Sequence, residues 1–182
     1  MKELNRFLLL GIVLVLIAGC SKMEVEPDPL YSGNDTSLKG AKVQMVPFKS
    51  TFDTWGLSEE YIYHPDGYEI GVHVVVCGSG KATHLGKTAI NVDQVWYFGY
   101  PMAGTSVITL TAANGDELFI DFTGKMNAMD PKNISIWGTC EINSGTGRFA
   151  DANGDLDLIA TFDKTIGEGG EGETFMTGTI KY

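Results

Sequence analysis

Basic residues are scarce in this 182-residue sequence, which has 13 Lys and Arg against 23 Asp and Glu and a formal net charge of −10. Binding to nucleic-acid phosphates requires clustered Lys and Arg, so the composition excludes DNA and RNA as expected partners. Hydrophobic residues nevertheless make up 43% of the chain and charged residues 20%. This balance is typical of a folded domain and excludes disorder of the whole chain.

Cysteine and histidine are equally rare, with three of each. The histidines lack the close spacing of a zinc site, and no Gly-x-Ser-x-Gly nucleophile elbow occurs. We therefore predict no catalytic residue, no metal site and no cofactor. A set of alternating oxygen ligands leaves calcium open as an alternative to a turn that enters a strand. The set comprises Asp151, Asn153, Asp155 and Asp157.

Long hydrophobic runs are lacking except at residues 7–18, which follow the basic residues Lys2 and Arg6. The run is about a dozen residues long, whereas a membrane-spanning helix needs about 20. A short apolar run after basic residues and before small residues is the layout of a secretory signal peptide. We predict that residues 1–19 are this signal peptide.

The segment Leu-Ile-Ala-Gly-Cys that ends at Cys20 resembles the lipobox of bacterial lipoproteins. The resemblance implies cleavage after Gly19 and lipidation of Cys20, which would attach the mature protein to a membrane through its acyl chains. An ordinary signal peptide that ends near Ala18 is the alternative. Ser21, rather than Asp, follows the cysteine, and this resembles lipoproteins sorted to an outer membrane. We therefore expect a cell-envelope protein that faces the periplasm or the cell surface.

Residues 20–41 lack hydrophobic periodicity and contain Pro27, Pro29, Gly33 and Gly40. This composition predicts a flexible tether between the lipidated cysteine and a folded domain. From residue 42 to residue 182, apolar residues recur at every second position in short runs bounded by Gly, Asn, Asp and Ser. We therefore place the domain at residues 42–182.

Alternation of this kind predicts about eight strands, with no helix of useful length. The first two strands are expected at residues 42–52 and 69–77, with an irregular connection between them. That connection would carry His64 and four aromatic residues, namely Trp55, Tyr61, Tyr63 and Tyr68. Closure leaves no exposed strand edges, so we predict an all-β fold, an antiparallel eight-stranded barrel of the calycin-like kind.

One turn carries a specific signal, because Asn114-Gly115 separates two alternating runs. Asn and Gly both tolerate positive φ angles, so the pair predicts a β-hairpin with a type I′ turn.

Three segments carry a family resemblance: residues 80–86 (GKATHLG), 113–118 (ANGDEL) and 145–150 (GTGRFA). Together they resemble the strand and turn signature of allene oxide cyclase-like barrels, which are relatives of dirigent proteins. The resemblance implies an eight-stranded antiparallel barrel with a central cavity. It implies little about function, because such a barrel can host a cyclase, a stereochemical guide or no enzyme at all.

Ile90, Val92, Gln94, Trp96 and Phe98 alternate on the face of a strand that we expect to point inwards. An eight-stranded barrel is wide enough to be filled by side chains or to hold one small ligand. Gln94 and Trp96 are therefore candidate ligand-binding residues, together with His84. A packed core, in which Trp96 fills space and Gln94 bonds to backbone, is the alternative.

In the Gly-Thr-Gly-Arg-Phe turn we expect a structural role for two residues. Phe149 would plug one end of the barrel, and Arg148 would bond to loop carbonyls or to a carboxylate. Strand phase places Cys140 inwards and Cys77 outwards, which predicts two free thiols.

Taken together, these observations favour a non-enzymatic, membrane-anchored binding or interaction module that holds a small apolar ligand. An enzyme of the cyclase or isomerase kind is one alternative, and it requires an acid or a base within the cavity. A purely structural surface protein is the other. The sequence names no protein partner.

Overall fold

Residues 44–182 are described by a computed structural model, and in them the alternating runs form eight antiparallel strands. The strands are β1 (Val46–Tyr63), β2 (Glu69–Ala82), β3 (Gly86–Tyr97), β4 (Met102–Ala112), β5 (Glu117–Asn127), β6 (Ile134–Gly145), β7 (Asn153–Asp163) and β8 (Glu171–Lys181). Each strand pairs with the next, and β1 pairs with β8 from Val46↔Ile180 to Trp55↔Glu171. The predicted closed, eight-stranded all-β barrel is confirmed.

The signal peptide, Cys20 and the tether lie outside the described residues. Within residues 44–182, one 3₁₀ turn, η1 (Gly147–Phe149), is the single helical segment. No helix in this part of the chain is long and apolar enough to cross a membrane.

β1 extends much further than predicted, because its strand continues to Tyr63 instead of ending at Phe52. From Ser50 to Trp55 it pairs with both β2 and β8, but from Ser58 onwards it pairs with β2 alone. The predicted irregular connection is therefore wrong, and the two strands meet in a tight turn at residues 64–68. The inner-face alternation stops where β1 leaves the barrel wall, so the sequence loses its strand signal there.

The hairpin formed by β1 and β2 protrudes beyond the barrel at one end, which we call the open end. The connections 98–101, 128–133 and 164–170 lie at the same end. At the opposite, closed end lie the turns between β2 and β3 and between β4 and β5, together with η1. Side chains fill the closed half, where Phe48, Leu110, Leu118, Ile142, Phe149 and Ile180 are completely or almost completely buried.

The Asn114-Gly115 hairpin is present, but its turn is not type I′. A type I′ turn requires a positive φ at both central residues. Gly115 has a φ of +88°, but Asn114 does not have a positive φ, because among the described non-glycine residues only His84 does. The N–H of Gly115 donates to the carbonyl of Ala112, and the N–H of Ala112 donates to the carbonyl of Asp116, at 2.9 Å each. This is a three-residue loop in which only the glycine is left-handed.

Candidate functional site

The half of the barrel nearest the open end, together with the protruding hairpin and the connections at that end, lines a cavity of about 810 Å³ that opens to solvent. This volume lies in the range of small-molecule sites, which are clefts of about 300–1,000 Å³. All eight strands contribute side chains to its wall. Inside the barrel, the lining includes Val72, Val74, Val76, Gln94, Trp96, Met102, Ser106, Phe122, Met126, Ile136, Leu158, Ala160 and Thr174.

A row of three glycines accounts for the empty space. Gly104, Gly124 and Gly138 pair directly across β4, β5 and β6, and each lies at an inward position of its strand. Trp96 pairs with Gly104 at one end of this glycine row, and Leu158 pairs with Gly138 at the other. Three adjacent strands therefore place no side chain into the barrel at this level. A glycine inside a strand is typical of such a close approach by another group.

Two aromatic rings lie against the wall where the glycines leave room. A Cβ atom at Gly104 would overlap Cε3 and Cδ2 of Trp96, and one at Gly124 or Gly138 would overlap the Phe122 ring. The two rings meet edge to face with centroids 6.1 Å apart. Because they lie along the wall instead of crossing the barrel, the centre stays open.

The polar side chains of the cavity lie on β1 and β8 and on β3 and β4, with valines of β2 between the two pairs. Thr54, Gln94, Ser106 and Thr174 are 4–8% exposed, and Gln94 pairs directly with Ser106 across β3 and β4. The indole Nε1 of Trp96 is buried without a hydrogen-bond partner. The wall contributed by β5, β6 and β7 is apolar, with Met126, Ile134, Ile136, Leu158, Ala160 and Phe162. The cavity is therefore amphipathic from side to side.

The mouth of the cavity carries the charged groups. Lys164 Nζ lies 2.5 Å from Glu59 Oε2, which joins the protruding hairpin to the connection between β7 and β8. The backbone N–H of Lys164 also donates to the carbonyl of Pro131 at 2.8 Å. Glu69 and Glu168 complete the charged rim. Among the described residues that line the cavity, the charged groups are thus three carboxylates and the ammonium group of Lys164, which is paired with Glu59.

Two further contacts order the rim. The Thr165 hydroxyl and backbone N–H donate to Asp163 Oδ1 at 2.6 and 2.8 Å, and they lower the pKa of that carboxyl. Gly56 of β1 lies against Gly169, where a Cβ on either residue would overlap the backbone of the other. The connection between β7 and β8 is therefore packed closely against β1 next to the mouth.

Of the three predicted ligand-binding residues, the structure brings together Gln94 and Trp96 but not His84. Gln94 and Trp96 are neighbours on the inner face of β3 and line the cavity. His84 lies in the turn between β2 and β3 at the closed end, with a φ of +69°, and its Nε2 is 3.0 Å from the carbonyl oxygen of Pro47. The inward placement expected for His84 is therefore wrong, because the turn takes it out of strand phase.

Arg148 and Phe149 lie at the closed end. Phe149 is fully buried, with its ring centroid 5.0 Å from that of Tyr182. Arg148 donates from Nη2 to the carbonyl of His84, and its Nε lies 3.6 Å from Asp116 Oδ2. These contacts tie η1 to the turns after β2 and β4, so the barrel is closed at this end.

The two described cysteines are free thiols on opposite faces of the wall. Burial, with the charge of Asp157 as a second cause, raises the pKa of Cys140 from 9.0 to about 12. Cys77 is half-buried on the outer face. No group of three or more His, Cys, Asp or Glu within residues 44–182 is placed to hold a metal ion. Asp155 and Asp157, from the calcium alternative, are exposed on β7.

Sequence reasoning missed the glycine row and the ion pair at the mouth. Alternation of apolar residues does not identify an inward glycine, because glycine has no side chain to count. The signal that could have found the row is spacing: each glycine lies two residues from an inward residue of its strand, namely Ser106, Phe122 or Cys140. The pairing of Glu59 with Lys164 joins positions far apart in the chain and had no local signal.

Comparisons with known proteins are sparse. No protein-family model and no curated protein matches this sequence. Among solved structures, the chain is similar to two pterocarpan synthase dirigent proteins. For one, the identity is 16% over 84% of this chain and 99% of that chain, with a TM-score of 0.46. For the other, it is 15% over 76% and 97%, with a TM-score of 0.41. At these values, neither likeness indicates what this chain binds or does.

Proposed function

We propose that the barrel is a non-enzymatic binding module that takes one small, largely apolar molecule into the cavity at its open end. The observation that carries the proposal is the glycine row, which keeps the barrel hollow at the level of Trp96 and Phe122. Enclosed apolar pockets with a few polar groups are the usual form of small-molecule sites.

The distribution of titratable groups favours binding over acid–base catalysis. The acids and bases that line the cavity are exposed and belong to the protruding hairpin or to the connection between β7 and β8. Inside the barrel, the polar groups of the described lining are the Gln94 amide and the hydroxyls of Thr54, Ser106 and Thr174. These orient a ligand by hydrogen bonds but are poor proton carriers near neutral pH.

Binding can be tested with the neutral, apolar fluorophore N-phenyl-1-naphthylamine and full-length protein in phospholipid nanodiscs, with empty nanodiscs subtracted. We expect saturable, one-site enhancement of emission. Ala160→Phe places a ring in the cavity and should abolish the enhancement, whereas Ile159→Phe, on the outer face of the same strand, should leave it intact. Equal binding by both variants, or no binding by the wild type, would show that the cavity is not a ligand-binding site.

We further propose that the module is held at a membrane surface through lipidation of Cys20, as the lipobox resemblance implies. Attachment by several acyl chains is stable, and an acidic domain gains nothing from an anionic bilayer. Cys20→Ser should abolish labelling by a fatty-acid analogue and release the protein from the membrane fraction. Ser21→Ala is the matched control and should retain both. Unchanged attachment of the Cys20→Ser protein would rule out the anchor.

A further inference from the structure

We propose that the cavity selects neutral molecules that join an apolar body to one group that both donates and accepts hydrogen bonds, of which a carboxamide is the simplest, and that Gln94 and Ser106 bind this group. The inference rests on the proposed binding function and specifies the class of ligand. It is carried by the unpaired polar atoms of these two side chains, by their depth in the cavity and by the charges at the mouth.

The side chains of Gln94 and Ser106 are open to the cavity. Both residues occupy inward positions of their strands and line the cavity, so their exposed fractions of 8% and 7% face its interior. Within residues 44–182, no hydrogen bond engages either side chain, and the polar side-chain atoms that lack both a partner and accessible surface are Ser50 Oγ and Trp96 Nε1. The amide and the hydroxyl are therefore accessible to a molecule in the cavity.

The two residues are close enough to bind one group together. Gln94 and Ser106 are direct partners across β3 and β4, and such partners have Cβ atoms about 4.5–5.5 Å apart. The Gln94 amide presents N–H donors beside a carbonyl acceptor, and the Ser106 hydroxyl can donate or accept. A carboxamide can pair with the Gln94 amide through two hydrogen bonds. A ligand that only accepts would leave the Gln94 carbonyl without a donor, which is unfavourable in a buried site.

This polar pair lies deep in the cavity. On β3, Trp96 lines the cavity nearer the open end, and Val92 lines it beyond Gln94. The other hydroxyls of the barrel interior, those of Thr54 and Thr174, lie on β1 and β8, beyond the valines of β2. A molecule whose polar group reaches the polar pair places its body towards the mouth, where the wall formed by β5, β6 and β7 is apolar. One polar end and a hydrocarbon body match this arrangement.

The distribution of charge along the cavity disfavours ions. An entering carboxylate passes Glu59, Glu69 and Glu168, and the one cation among the described lining residues, Lys164, is paired with Glu59. Inside the barrel, the described lining has no Lys, Arg, His, Asp or Glu to pair with an ion of either sign. A charge buried without a partner is strongly unfavourable, so neutral molecules are preferred.

The test uses three probes with the same ring system: 2-naphthamide, which donates and accepts, 2-acetylnaphthalene, which only accepts, and the anion 2-naphthoate. Affinities are measured calorimetrically for full-length protein in nanodiscs, against empty nanodiscs. The decisive quantity is the ratio of the Kd of 2-acetylnaphthalene to that of 2-naphthamide. Gln94→Met removes the amide but keeps the length of the side chain, and it should lower this ratio about fivefold or more, the factor that one hydrogen bond contributes. Gln44→Met, at an exposed glutamine, is the matched control and should leave the ratio unchanged.

A ratio that is the same in wild type and Gln94→Met would overturn the inference but not the binding function. So would failure of all three probes to bind while N-phenyl-1-naphthylamine still binds, whereas failure of that fluorophore as well would overturn both. Binding of 2-naphthoate as tight as that of 2-naphthamide would overturn the preference for neutral ligands. If Gln94→Met does not fold, Ser106→Ala decides. It should weaken binding of 2-naphthamide about threefold or more relative to Ser79→Ala, on the outer face of β2, and equal affinities would refute the inference.

Discussion

Trp96 and Phe122 meet edge to face along the barrel wall, with ring centroids 6.1 Å apart and ring planes at 62°. Either side chain is large enough to fill the interior if it pointed at the barrel axis. Both rings lie over glycines of neighbouring strands instead of pointing at the barrel axis. The relationship explains how an eight-stranded barrel, whose interior is normally just filled by side chains, remains hollow at one end.

The first prediction concerns the glycine row. In Gly124→Ala, the new Cβ overlaps the Phe122 ring and the carbonyl of Trp137, so one of them must move. We expect a loss of about 1–3 kcal/mol in the free energy of unfolding, typical of overpacking, and weaker binding of N-phenyl-1-naphthylamine. The measurements are denaturant unfolding and fluorescence titration.

Gly99→Ala is the matched control, because its Cβ would meet nothing closer than the Pro101 carbonyl oxygen at 3.6 Å. Its stability should stay within about half a kcal/mol of the wild type, as for most surface substitutions. If Gly124→Ala behaved like Gly99→Ala in both assays, the glycines would not shape the cavity.

The second prediction concerns the ion pair between Glu59 and Lys164 at the mouth. Both side chains are partly exposed, at 29% and 45%, so the pair adds less than about 1 kcal/mol to stability. Glu59→Gln should instead accelerate ligand dissociation, because it loosens the link between the protruding hairpin and the connection between β7 and β8. Stopped-flow displacement of the fluorophore measures this rate. Glu60→Gln, beside it and exposed, should not change the rate, and equal rates for the two variants would exclude a role for the pair.

The third prediction uses the two thiols of a Cys20→Ser protein. Only the thiolate reacts with disulfide reagents, and burial raises the pKa of Cys140 to about 12. At about pH 8, Cys77 should therefore react while Cys140 stays protected until the barrel unfolds. Titration of the native protein should count one thiol, and titration in denaturant should count two. Native reaction of both would show that β6 is not packed as described.

The same shift has a consequence for stability at high pH. A folded-state pKa above the unfolded value stabilises the fold at lower pH, and this stabilisation is lost as the pH rises from 9.0 towards 12. Alkaline destabilisation should accordingly be smaller in Cys140→Ala than in a protein with the thiol, when each is compared with its own stability at neutral pH.

Strand phase was sufficient to predict the barrel and to place Gln94 and Trp96 on its inner wall, because alternation reports directly which face is buried. It did not predict the far half of β1. There Glu59, Tyr61 and Tyr63 are exposed, and the pairing with β2 leaves no hydrophobic pattern. His84 was a candidate for the same interior, yet it lies in a turn, with a positive φ, where the chain reverses. The position of the Trp96 ring depends on the absence of a side chain at Gly104, which is its partner on the next strand. This pairing is fixed by the register of the two strands, which the sequence pattern does not give.

The measurement that tests the central claim most directly follows the emission of Trp96 alone. The chain has three tryptophans, and the exposed Trp55 and Trp137 can be replaced by Phe, which leaves Trp96 as the reporter inside the barrel. Titration with camphor, a neutral apolar ketone that can quench indole emission on contact, should quench this emission along a saturable, one-site curve, because Trp96 lines the cavity. A quench that rises linearly without saturation, as for free tryptophan in solution, or no quench at all, would contradict a ligand-binding cavity at Trp96.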